Sequence, residues 1–87
     1  MAESVLTLKV VTPNEVFFEG TVESIIAPGA LGYLGILKNH APFVTTISKG
    51  NLTFRERLGK TSVFKVEGGF LEVSNNQVLV LTDNVVK

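Results

Sequence analysis

One histidine, one aspartate and no cysteine in 87 residues leave this chain little with which to do covalent or acid–base chemistry. His40 as a general base would need a nucleophile and an orienting group, and the sequence carries Asp83 alone as aspartate and no nucleophile-elbow motif. The run Asn39-His40-Ala41-Pro42 instead reads as a rigid corner in which the imidazole bonds backbone. Without thiolates, and with a single imidazole, no ordinary zinc site can be assembled. Gly29-Ala30-Leu31-Gly32-Tyr33-Leu34-Gly35 has neither the dinucleotide-binding nor the Walker spacing, and Pro42 would cut short a helix beginning nearby. Its glycines are assigned to turns and close strand approach.

The remaining charged residues suggest surface. Glu15, Glu19 and Glu23 recur every four residues, but Gly20 and the strand pattern around them argue against a helical stripe, so they are read as solvated. Arg55, Arg57, Lys60 and Lys65 form the one basic cluster, which is assigned to water. Eight basic and eight acidic residues cancel, leaving no electrostatic footprint for nucleic acid. Catalysis, metal binding and polyanion binding are all disfavoured, and contact with other proteins becomes the leading class.

Composition agrees. A chain of this length makes one domain, 1–87, and buries roughly 60 to 65% of its unfolded surface. A mean hydropathy of +0.34 with 18% charged residues is apolar for so small a body, which implies a face turned to a partner. Met1 to Val5 lacks the basic and apolar regions of a secretory leader, and no apolar run approaches the ~20 residues that span a bilayer.

The elements that must position these residues are strands. Alternation predicts strands at Val5–Val11, Val22–Ala27, Tyr33–Leu37, Phe43–Ser48, Asn51–Leu58, Thr61–Val66 and Gln77–Thr82, with shorter ones at Val16–Phe18 and Phe70–Val73. Glu19-Gly20-Thr21, Lys49-Gly50, Leu58-Gly59-Lys60 and Glu67-Gly68-Gly69 are read as reversals or breaks, and Asn75 and Asn76 as the φ > 0 positions of a primed hairpin turn. Phe17-Phe18 and Ile25-Ile26 are expected to put apolar groups on both faces of their strands. The unbroken run Val78-Leu79-Val80-Leu81 is expected to be buried on both faces. Lys65 is expected near the arginines or an acidic side chain. No window has a sustained helical period, so the fold class is an all-β antiparallel sandwich. Between its strands, Pro28 to Pro42 gathers three of eight glycines, two of three prolines, the only tyrosine and the only histidine, and is read as a contact loop. These residues alone leave open a stand-alone interaction or adhesion module, against which the missing leader counts.

In combination, Ala27-Pro28-Gly29, Gly32-Tyr33-Leu34-Gly35-Ile36-Leu37, His40-Ala41-Pro42 and Gly68-Gly69-Phe70-Leu71-Glu72-Val73 resemble the signature of the epsilon subunit family of F-type ATP synthases. Their order, with the Thr12-Pro13 break upstream and Val78 to Leu81 downstream, extends the resemblance from about Leu6 to Thr82. Tyr33 stands where relatives often carry a small or acidic residue, and Lys38 where many carry proline. The resemblance implies a flattened β-sandwich of about ten short strands and a non-catalytic rotor subunit of the central stalk. Its implied partners are the gamma subunit and the c-subunit ring. It would help couple proton flow to ATP synthesis from the cytoplasmic face of a bacterial plasma membrane, with a plastid equivalent open. Ala30, Leu31, Gly32, Tyr33, Asn39, His40, Ala41 and Pro42 would then face the c ring, and a sandwich face including Thr45, Gly69 and Val80 would meet gamma. Typical members continue into a two-helix hairpin that this sequence lacks, so neither ATP binding nor inhibition by an extended hairpin is expected. No cofactor is implied.

Overall fold

A computed structural model describes residues 5–86, so the expectations about Met1 to Ser4 and Lys87 lie outside it. The described residues form seven strands: β1 (Leu6–Thr12), β2 (Glu15–Gly29), β3 (Gly32–Leu37), β4 (Phe43–Glu56), β5 (Thr61–Ser74), β6 (Gln77–Thr82) and β7 (Val85–Val86). They hydrogen-bond in the order β1-β6-β5-β4-β2-β3, with β7 on β5 and β1 also pairing β2, so the sheet wraps onto itself. All pairs are antiparallel except β1 with β6. The all-β class agrees with the sequence reading.

Strand length departs from it. β2, β4 and β5 run 15, 14 and 14 residues, straight through the glycines expected to break them. Each serves both layers. β2 pairs β1 up to Val22 and then pairs β3 and β4. Phe43 to Ile47 of β4 lie against Val73 to Gly69 of β5, whereas Lys49 to Arg55 lie against Glu67 to Thr61. β5 then pairs β6 through Gly69 to Ser74 and β7 through Lys65 and Val66. Counted layer by layer, the three long strands contribute two segments each, and the seven strands supply ten.

The crossings explain the glycines. At Gly50 a Cβ would come within 2.8 Å of the Tyr33 hydroxyl and 2.9 Å of Pro28 Cβ, because the cross-strand pair Pro28 and Tyr33 packs over the β4 corner. The Tyr33 hydroxyl also accepts a hydrogen bond of 3.1 Å from the next backbone N–H, that of Asn51. At the β5 corner Gly69 has φ 128°, open to glycine and hardly to any L side chain, and a Cβ there would overlap the Leu81 carbonyl oxygen. The Thr82 hydroxyl, almost fully buried, donates to the Gly68 carbonyl at 2.6 Å. Glu67 N–H donates to the Asn84 carbonyl at 3.2 Å, and the Asn84 amide returns to Glu67 Oε1 at 3.2 Å. The end of β6 thus straps the bend of β5.

The core lies between the layers. Leu6, Leu8 and Val10 of β1 bury with Ile25, Ile36, Leu52, Phe54, Val66, Leu71, Val73, Val78 and Val80. At one end the Phe54 ring centroid lies 4.4 Å from Phe18 and 6.0 Å from Phe64, and Phe17 meets Phe64 edge-on at 4.9 Å. Phe17 and Phe18 are neighbours in sequence, yet both reach this cluster, in place of the expected opposite faces. Val10 pairs Phe18 and Val11 pairs Val16, so Phe17 is the extra residue of a β-bulge that turns it inward. Ile25 and Ile26 do take opposite faces, one buried and the other half exposed. In β6, Val78 and Val80 are buried but Leu81 is 44% exposed, so the two-faced burial expected of this run does not occur. Among the described residues nothing covers the outer side of that layer at Leu81. Lys65 sits directly opposite Asn51 and Val86, with Glu67 two residues along its own strand.

Two substitutions test the corners. Gly69→Ala is expected to cost about 3 kcal/mol or more through steric overlap with the β6 backbone, whereas Gly35→Ala, where a Cβ would meet nothing within 4 Å, should stay within about 0.5 kcal/mol of the parent in urea denaturation. Equal stability of the two variants would show that β5 does not turn as described. Tyr33→Phe should speed amide exchange at Asn51 and lower stability by about 0.5–1 kcal/mol; an unchanged Asn51 exchange rate would remove the hydroxyl from the β4 corner.

Candidate partner-contact surface

The β2–β3 hairpin closes with Gly29 paired to Gly32, leaving Ala30 and Leu31 as its tip. Gly32 has φ 126°, the conformation that lets so short a loop return. The Leu31 side chain is wholly exposed, and Tyr33 beside it is exposed although its hydroxyl is tied to Asn51. The tip therefore projects an apolar group from a braced base.

β3 then carries the chain to a second corner. His40 N–H donates to the Leu37 carbonyl at 3.3 Å, and Asn39 between them takes φ 68°. The His40 Nδ1 lies 2.7 Å from the Ala41 carbonyl and donates to it, as the sequence reading of a rigid corner anticipates. Its ring also meets Phe43 at 5.9 Å between centroids. Ala41 and Pro42 are exposed and lead into β4. The two corners do not meet: β3 separates them by its six residues, about 17 Å. Tyr33 groups with Asn51 and the β4 corner, while Asn39 and His40 group with Asn76 and Phe43.

Thr45, Gly69 and Val80 fall elsewhere, in the layer where Phe43 to Ile47 of β4, Gly69 to Ser74 of β5 and β6 pair side by side, here called the first layer, and mostly face inward. Val80 is fully buried, Gly69 is closed over by the Leu81 backbone, and the Thr45 hydroxyl bonds the Thr46 carbonyl at 3.0 Å. None of the three presents an open side chain. Their alternate neighbours do. Register places Phe70 beside Leu81, Leu81 beside Val11 and Val11 beside Val16, an apolar rung across four strands. The adjoining rung reads Val44, Glu72, Leu79, Lys9, Glu19. Val44, Phe70, Glu72, Leu79 and Leu81 line a shallow groove between the rungs. Phe70 is 56% and Val44 67% exposed. Alternation in Phe70-Leu71-Glu72-Val73 already carried this signal, but the unbroken run at Val78 to Leu81 hid it.

Arg55 Nε lies 3.5 Å from Glu23 Oε1 with both side chains about half exposed, a pair that contributes little to stability. Glu15 and Glu19 are exposed on β2, Glu19 at the end of the mixed rung of the open face. Among the described residues no group of three or more His, Asp or Glu converges as metal ligands. The geometry offers a body with two projecting corners and an open apolar face, which suits binding.

Comparison with known proteins places this body. Residues 5–87 match the family described as the ATP synthase delta/epsilon chain, beta-sandwich domain. The ATP synthase epsilon chain of Leptospira interrogans is 42% identical over 84 residues, 97% of this chain and 65% of that protein. That of Chlorobaculum tepidum is 37% identical over 84 residues, 97% of this chain and 96% of that one. The chain thus spans about two thirds of the first relative and nearly all of the second. Among solved structures, a chain of the Euglena gracilis mitochondrial ATP synthase, determined with its OSCP, F1 and c-ring, superposes with a TM-score of 0.89 at 23% identity, covering 97% of this chain and 54% of that one. A chain of the Tetrahymena thermophila mitochondrial enzyme, from its central stalk and c-ring, gives 0.79 at 19% identity, with 94% and 66% covered. These likenesses confirm the fold, and the sequence match settles the kinship: the chain belongs to the delta/epsilon family of ATP synthase chains, as its β-sandwich domain.

Proposed function

We propose that this chain is a non-catalytic rotor subunit of the central stalk of an F-type ATP synthase, joining gamma to the c ring and helping to couple proton flow to ATP synthesis. The observation that carries the proposal is the open face of the first layer, where Phe70, Leu81, Val11 and Val16 align on a body whose other half of each strand is packed. Family membership supports gamma as the partner of that face. Gamma meets the rungs through Leu79 and Leu81, the outward neighbours of Val80, and through Phe70, the outward neighbour of Gly69. The c ring meets the Ala30 to Tyr33 tip and the Asn39 to Pro42 corner.

A coupling element in a rotor must resist shear between its two contacts. Three strands that pass through both layers supply that resistance, because the layers cannot slide without breaking the ladders of β2, β4 and β5. Catalysis stays in other chains of the complex. Peripheral attachment to the membrane follows from the c ring, on the cytoplasmic side in a bacterium. In this reading residues 1–87 work as one domain that does not itself bind ATP.

Co-elution of the chain with its cognate gamma subunit tests the proposal. The wild-type chain is expected to co-elute, and Phe70→Ser with Leu81→Ser to weaken the complex by at least about tenfold while leaving the melting temperature within a few degrees. Leu31→Asp is expected to spare gamma binding and reduce assembly onto the c ring. Failure of the wild type to bind gamma would overturn the rotor assignment, and micromolar ATP binding by calorimetry would overturn the absence of a nucleotide site.

A further inference from the structure

The Asn39 to Pro42 corner is not held by its own sequence alone. Asn39 N–H donates to Asn76 Oδ1 at 2.6 Å, and Asn76 Nδ2 donates back to Asn39 Oδ1 at 3.3 Å. Asn76 lies 37 residues further on, in the turn between β5 and β6. Its backbone is fixed from another side, because its carbonyl accepts from Thr7 N–H at 2.9 Å and stands 3.4 Å from the Thr7 hydroxyl. One residue thus joins the corner, the β5–β6 turn and the start of β1. Asn39 has φ 68° and Asn76 φ 62°, so both asparagines sit in the left-handed region, where a short amide side chain can bond neighbouring backbone.

We propose that Asn76 is the positioning residue of the Asn39 to Pro42 corner, holding it by a reciprocal amide pair in the shape that its partner reads. The proposal rests on the reading that this corner meets the c ring. Asn76 touches the partner through nothing of its own; it fixes the Asn39 peptide and thereby the direction in which His40, Ala41 and Pro42 leave β3. The turn itself does not require the side chain. Positive φ at position 76 is met as well by glycine, and the Thr7 bond uses the backbone carbonyl. Residues forming the turn for its own sake would need only the backbone, whereas here both side-chain atoms are aimed at Asn39.

That separation makes the test clean. Asn76→Gly keeps the turn and the Thr7 bond but deletes both bonds to Asn39; Asn76→Asp keeps an acceptor for Asn39 N–H and loses the return donor. Amide exchange at Asn39, melting temperature, and affinity of the gamma-bound chain for its c ring in detergent would be measured on all three proteins. Expected are faster Asn39 exchange in the Gly variant and an affinity loss of about three- to tenfold, with the Asp variant in between and melting temperatures within about 3 °C. A merely structural side chain would move stability and affinity together. Unchanged Asn39 exchange in the Gly variant would overturn the latch, and faster exchange with equal affinities would overturn its role in binding. A wild-type chain that fails to bind the c ring would overturn the underlying contact and the proposal with it, an outcome distinguished by its appearance before any substitution.

Discussion

Everything in this domain depends on three strands turning a corner without ending. A body of 87 residues buries a smaller share of its surface than a larger domain does, and two separate small sheets would have to rely on side-chain packing alone to stay in register. Running β2, β4 and β5 through both layers replaces part of that burden with main-chain hydrogen bonds that cross the fold. The cost falls on a few positions. Gly69 lies under the Leu81 carbonyl, so close that no side chain fits, and Gly50 lies beneath Pro28 and Tyr33. Thr82 completes the β5 corner by donating to the Gly68 carbonyl, which the bend would otherwise leave without a ladder partner.

These corners also explain what could and could not be read in the sequence. Apolar runs bounded by turn residues located β1, β3 and β6 to within a residue or two, and Asn75 and Asn76 indeed take φ 50° and 62°. Such features are decided by neighbours along the chain. Glycine is ambiguous because a reversal and a close approach ask the same thing of it. At Gly20 the neighbour that matters is the Phe18 ring, at Gly50 it is Tyr33, and at Gly69 it is β6. All but the first lie far away in sequence. The same holds at the candidate site: His40 bonding Ala41 is local and was legible, whereas Tyr33 bonding Asn51 and Asn39 bonding Asn76 were not.

Parity was the second blind spot. In Val78 to Leu81 every residue is apolar, so nothing in the sequence says which pair faces in. Register resolves it, since Val80 pairs buried Leu71 and Val10 while Leu81 pairs exposed Phe70. A one-residue slip would exchange the two sets. The bulge at Phe17 makes a related point, because it lets adjacent phenylalanines share one cluster and so breaks the parity on which strand reading relies.

The open face has its own internal logic. An apolar rung left bare on a free chain invites self-association, and the rung of Val44, Glu72, Leu79, Lys9 and Glu19 runs directly beside it. Charges there keep the surface wetted until a partner arrives, and they oblige that partner to offer polar groups along one line and apolar groups along the next. The pattern therefore selects register as well as affinity, so a partner displaced by one rung along the strands would set its apolar groups against Glu72 or Lys9. In the proposed rotor role this would matter more than tightness, since a joint that slips by one rung would transmit torque through the wrong angle.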